Sequence, residues 1–202
     1  MRHAYQVTFP EPARKIKFYI GNVLCSRGSV IPLWIEQIRC GKPITVTEPS
    51  MTRFIMSPEE TVDLVLHAFE NAQNGDILVQ KASAVTIQTL AEAVRSLFGS
   101  RGDDIRVIGR RHGETMHETL LTREERAVAE DMGDYFRIPV DRRDLNDDMS
   151  AGYTAVSSEL PEFASDGVPL LTQQEVQEKI ALLPSIRRAL DTAQNDLRHL
   201  SE

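Results

Sequence analysis

A chain of 202 residues can form one ordinary domain with a sizeable core, whereas two independent cores would be cramped. Apolar residues make up 41% and charged residues 26%, the balance of a soluble globular protein rather than a disordered or fibrous one. A formal charge of −7, from 23 basic and 30 acidic residues, repels a phosphate backbone, so nucleic acid is not an expected partner.

Two cysteines, Cys25 and Cys40, can build neither a disulfide framework nor a four-cysteine zinc site, and a reducing compartment fits them best. The longest apolar stretches, such as residues 30–35 with Pro32 inside, fall far short of the ~20 residues that span a bilayer. Residues 1–15 carry no apolar signal core. A cytoplasmic protein without membrane contact is expected.

In chain order, residues 1–15 are polar and interrupted by Pro10 and Pro12, and read as a loose arm that offers nothing for a core. Order is expected to begin near Ile16, with a strand over 16–20 ending at Gly21. A helix follows over 30–40, closed by Gly41 in the left-handed C′ position, and then a strand over 44–47. Ser57-Pro58-Glu59-Glu60 combines a serine N-cap, a proline at the first helical position and a glutamate that can reach back to the cap, so a helix over 58–72 is predicted. Its apolar members Val62, Val65, Leu66 and Phe69 sit at helical spacing. Asn74-Gly75 stops that helix before a strand over 76–80. Thr86 caps the next helix, whose stripe of Ile87, Leu90, Ala91, Val94, Leu97 and Phe98 ends at Gly99.

Residues 105–108 read as a strand, Thr122 to Glu125 as a second capping box, and residues 135–140 as an extended segment. Periodicity disappears over 141–169, where aspartate, serine and glycine predict a long surface excursion. Thr172 caps an amphipathic helix over 173–183, which Pro184 breaks or restarts before 187–200.

Three clusters can carry chemistry. Residues 21–30 form a glycine-flanked turn between a strand end and a helix start, either an ordinary connection or a gathering of N–H groups and helix dipole that suits an anionic or polar ligand. Arg53 lies between apolar residues ahead of a capped helix, where it either snorkels to water or meets an anion with its planar fork. Arg110-Arg111-His112-Gly113-Glu114 emerges at a strand end, where ligands collect in α/β folds, or is a solvated turn. His112 and His117 are five residues apart, which points their rings to different faces, so no metal site is expected. No serine or cysteine elbow and no glycine-rich dinucleotide fingerprint is present.

Together these segments resemble one family. Gly-Asn-Val-x-x-Ser-Arg-Gly-Ser-Val-x-Pro at 21–32, Pro-Ile-Thr-Val-Thr-x-Pro-x-Met-Thr-Arg-Phe at 43–54 and Arg-His-Gly-Glu at 111–114 are similar to the UDP-sugar 4,6-dehydratases and 4-epimerase-like enzymes of polysaccharide (capsule, O-antigen) biosynthesis, extended short-chain dehydrogenases. The resemblance covers about residues 16–146. It implies an α/β fold: the C-terminal substrate-binding portion of such an enzyme, a small mixed sheet with flanking helices, the Rossmann half missing. The implied organisation is a loose arm over 1–15, a UDP-sugar-binding domain over 16–140, an irregular surface segment over 141–171 and C-terminal amphipathic helices over 172–202.

By the same resemblance, Asn22 and Arg53 hold the diphosphate, Arg111 is a second diphosphate arginine, Glu114 accepts from the uridine ribose, and Val30 and Val46 sandwich the uracil. Each charge-assisted contact would be worth roughly 1.5–3 kcal/mol if desolvated. Thr115 stands where a lysine is common in the family. The cofactor fingerprint and the Tyr-x-x-x-Lys pair would lie upstream of residue 1, so no catalytic residue and no cofactor is assigned to this chain, and NAD(P) is implied for the full-length family only. The expectation is therefore a truncated UDP-sugar-binding half, inactive alone, served by a separate Rossmann-half chain or by homo-oligomerisation. Two alternatives remain: an interaction module docking through residues 173–200, sensitive to Ile180 or Leu190, and a gene remnant.

Overall fold

The structure, a computed structural model, describes residues 3–9, 14–99, 105–140 and 160–199. Its strands are β1 (His3–Phe9), β2 (Arg14–Ile20), β3 (Asn22–Val23), β4 (Ile44–Val46), β5 (Thr52–Met56), β6 (Ile77–Gln80), β7 (Ser83–Thr86), β8 (Ile105–Val107), β9 (Thr119–Leu121), β10 (Glu130–Asp131), β11 (Tyr135–Ile138) and β12 (Phe163–Ala164). Its helices are α1 (Val30–Arg39), α2 (Pro58–Asn71), α3 (Ile87–Phe98), α4 (Arg123–Val128), α5 (Gln173–Ala181) and α6 (Pro184–His199). This is the mixed α/β class with small sheets and flanking helices.

The largest sheet runs β1-β2-β6-β11-β10. In β2 the alternation is strict: Ile16, Phe18 and Ile20 are buried and Lys15 and Lys17 exposed, as a strand with one covered face requires. β6 joins β2 in parallel through Lys17↔Ile77 and Tyr19↔Val79, and β11 lies antiparallel to β6. On the other edge β1 pairs antiparallel with all of β2, from His3↔Ile20 to Phe9↔Arg14. The N-terminal segment is thus a strand in its described part, not the loose arm its polarity predicts. The backbone groups of β2 need partners whatever the side chains of β1 are, and Val7 packs on the core.

The Ser57 capping box forms as expected, with Glu60 N donating to Ser57 Oγ and Ser57 N to Glu60 Oε2. Of the four apolar residues noted at helical spacing in α2, Val65 alone packs partly against the core. Leu64 and Ala68 are buried, whereas Val62, Leu66 and Phe69 are exposed. α2 carries two apolar stripes, and it seats on the one that includes the small Ala68. Phe69 is covered instead by the Arg14 guanidinium, 5.6 Å from its ring centroid.

A second sheet, β3-β5-β7, stands between two cores. Phe54 and Met56 of β5 enter the core under the large sheet, while Ile55 enters the other, formed by Trp34 of α1, Leu90 and Val94 of α3, and Val176 and Ile180 of α5. Successive side chains of one strand therefore tie both cores together. The stripe of α3 faces this second core as its spacing predicts. α5 and α6 form on either side of Leu182 and Leu183, with Pro184 restarting the helix.

Residues 141–159 of the expected surface excursion lie outside the described residues. In its described remainder, residues 160–169 are not all surface. β12 pairs with β9, Phe163 stacks on Phe54 at 5.1 Å, and Ser165 is fully buried.

Candidate functional site

A cleft of about 330 Å³ opens where β2 passes into β3 and α1, lined among others by Asn22, Ser29, Val30 and Arg53. Its first wall is local. A Cβ on Gly21 would sit 2.7 Å from Phe54 Cβ and 2.9 Å from Phe54 O, so only glycine lets β3 lie against β5 here. Leu24 N then donates to Met56 O at 2.8 Å, and Cys25 turns through a left-handed conformation, φ 57°. Ser29 reaches the N-cap position of α1 without bonding back to the helix. Its Oγ is buried and has no hydrogen-bond partner among the described residues, although it lines the cleft. Unpaired hydroxyls of this kind are costly unless something outside the chain satisfies them.

The second wall is assembled from distant segments. Arg53, on β5, directs Nη1 to Thr52 O at 2.7 Å and Met116 O at 3.2 Å, and Nη2 to Thr115 O at 2.9 Å and Met51 Sδ at 3.3 Å. Its Nε lies 3.6 Å from Glu118 Oε1. The guanidinium is thus neither snorkelling nor idle: it staples residues 115–118 to β5. Behind it, Ser165 Oγ lies 2.6 Å from Thr52 Oγ1 and accepts from Glu118 N at 2.9 Å, while His117 Nδ1 lies 2.8 Å from Thr52 Oγ1.

Asn22, Val30 and Arg53 are brought to one cleft. Val46 is not, being 1% exposed in the second core with its carbonyl accepting from Ile108 N at 2.8 Å. Arg111 is exposed, and Glu114 closes its own turn by accepting from Arg111 N at 3.0 Å. Both belong to the loop whose next residues Arg53 holds. Sequence reasoning assigned no role to Ser29, Glu118 or Ser165. The serine in the glycine-flanked turn was a legible signal, but the pairing of Ser165 with Thr52, 113 positions apart, was not.

Cys25 also borders the cleft, and burial pushes its thiol above the ordinary range, against a smaller lowering by Ser185. Among the described residues no cluster of three metal-ligating side chains occurs, and no helix is long and apolar enough to cross a membrane.

α5 leaves no free apolar face of the kind an interaction module needs. Val176 and Ile180 are buried in the second core, and Leu190 of α6 packs against it.

Comparison with known proteins places this architecture. The family model described as polysaccharide biosynthesis protein matches residues 10–140. UDP-glucose 4-epimerase of Rickettsia prowazekii (strain Madrid E) is 48% identical over 177 residues, 86% of this chain and 51% of that protein. The same-named protein of Rickettsia canadensis (strain McKiel) is 49% identical over the same shares. Among solved structures, Pen from Bacillus thuringiensis superposes with a TM-score of 0.67 at 28% identity, covering 82% of this chain and 49% of that one. The chain spans about half the length of the curated relatives it matches. With a family model spanning well over half of it, this chain belongs to the polysaccharide biosynthesis protein family that its three ordered motifs resembled.

Proposed function

We propose that the chain binds a UDP-sugar in the cleft between β3, α1 and β5, as the substrate half of a cytoplasmic sugar-nucleotide 4-epimerase or 4,6-dehydratase. The observation that carries this reading is the convergence of Asn22, Arg53 and the unpaired Ser29 Oγ at the N-terminus of α1 on one cleft. An amide, a guanidinium and a helix N-terminus are the groups that recognise a diphosphate. The relatives' name, UDP-glucose 4-epimerase, favours epimerisation and a uridine diphosphate over other nucleotides. Val30 lines the same cleft and is the apolar contact for the uracil, while Arg111 and Glu114 stand outside that lining, on the loop whose following residues Arg53 holds.

This chain's share of the work is binding and orientation. Neither a glycine-rich fingerprint nor a Tyr-x-x-x-Lys pair occurs in its 202 residues, so hydride transfer and proton abstraction belong to groups outside them. NAD(P) is accordingly assigned to the full-length family, and activity to an assembly that includes a nucleotide-binding half.

Calorimetric titration with UDP, UMP and UDP-N-acetylglucosamine tests the reading. UDP is expected to bind and UMP to bind more weakly, and Arg53→Ala is expected to abolish both. No heat from any of the three in a folded sample contradicts the proposal.

A further inference from the structure

The two groups assigned to the diphosphate already face a carboxylate of the chain itself. With its amide oriented to satisfy both acceptors, Asn22 donates to Glu118 Oε2 at 2.9 Å and to Phe54 O at 3.0 Å. Arg53 Nε lies 3.6 Å from the other oxygen of the same carboxylate, and both charged side chains are largely shielded, 17% and 13% exposed. The Glu118 backbone is fixed from behind. Its N–H donates to Ser165 Oγ at 2.9 Å and its carbonyl accepts from Ser165 N at 2.8 Å, and Ser165 is fully buried. Two backbone hydrogen bonds to a buried residue thus fix the point from which the carboxylate reaches Asn22 and Arg53.

A carboxylate that meets an amide and a guanidinium presents the chemistry of a phosphate oxygen. We propose that Glu118 is an internal counter-ion: it holds the anion position between Asn22 and Arg53, is displaced when a diphosphate enters, and so sets the affinity and charge selectivity of the cleft. The inference rests on the UDP-sugar reading of that cleft. Without ligand, Glu118 spares Arg53 from being a shielded charge without compensation. With ligand, its displaced charge stays close by and repels, so a monoanion gains little by replacing it and a diphosphate gains more.

Glu118→Gln keeps the shape and an oxygen for Asn22 but removes the charge. Titrated with inorganic pyrophosphate and with UDP, E118Q is expected to bind both about tenfold more tightly than the parent chain. Neutralising a carboxylate that stays in place would also relieve repulsion, so tighter binding by E118Q establishes the charge effect and Glu118→Asp decides the displacement. Glu118→Asp, which withdraws the carboxylate by one methylene and keeps the charge, is expected to tighten binding by less, and it carries the test if E118Q does not fold. Equal or weaker binding of both pyrophosphate and UDP by both variants overturns the counter-ion while leaving the UDP site standing. Tighter pyrophosphate binding with no added affinity for UDP supports the counter-ion and removes the uridine reading. No binding of either ligand to any of the three chains overturns both.

Discussion

The two walls of the cleft are built in opposite ways. The wall from Gly21 to Val30 is one continuous stretch, shaped by backbone: a glycine pressed on Phe54, a left-handed Cys25 and the start of α1. The wall opposite is a polar assembly of Thr52, Arg53, residues 115–118 and Ser165, held by side-chain hydrogen bonds between segments far apart in sequence. The first supplies shape and the N-terminal end of α1. The second supplies charge, and its charge depends on a network that a single substitution can open. Shape and electrostatics of the cleft are therefore separable, and substitutions should affect them separately.

The largest effect is expected at Arg53. Arg53→Ala orphans the carbonyls of Thr115 and Met116 and leaves the Glu118 carboxylate without its cation, so urea denaturation should show a loss of about 3 kcal/mol or more. Next, Gly21→Ala forces a methyl group to 2.7 Å from Phe54 Cβ and should cost about 1–3 kcal/mol, read in the same way. If the walls are independent, it should leave the Arg53 contacts intact. Ser165→Ala removes a buried hydroxyl that serves Thr52 and Glu118, at about 1–2 kcal/mol, and should weaken UDP binding through residues 115–118 without disturbing α1. The smallest effect is kinetic. Exposed Cys40 should alkylate before Cys25, whose partly buried thiol is held above the ordinary range, and bound UDP should slow Cys25 further because it borders the cleft. Mass spectrometry of the labelled chain reads both rates.

What the sequence made legible follows the same division. The capping boxes at Ser57 and Thr122 and the cap at Thr172 were readable because donor and acceptor lie three residues apart. The glycine-flanked turn was readable for the same reason. The buried face of α2 was not, because Val62, Leu66 and Phe69 form as regular a stripe as Leu64 and Ala68, and only the sheet beneath decides which is covered. Strand β1 was hidden by its polarity and by two prolines that fall between β1 and β2 rather than inside either. Val46, assigned by resemblance to the uracil, lies in the core because β4 turns Ile44 and Val46 toward the residues of α1 and α3 in the second core. The polar wall was out of reach of any local pattern: Arg53 was visible as a misplaced charge, but the two carbonyls that tie it to the other segment lie more than 60 residues on.

The most direct test of the central claim is to map UDP onto the ¹⁵N-labelled chain by amide chemical shifts. Binding in the cleft predicts that amides of residues 22–30 and of residues 114–118 shift together along one titration curve, with those of α2 unmoved. Shifts confined to a different surface, or no shifts in either wall at saturating UDP, would contradict it.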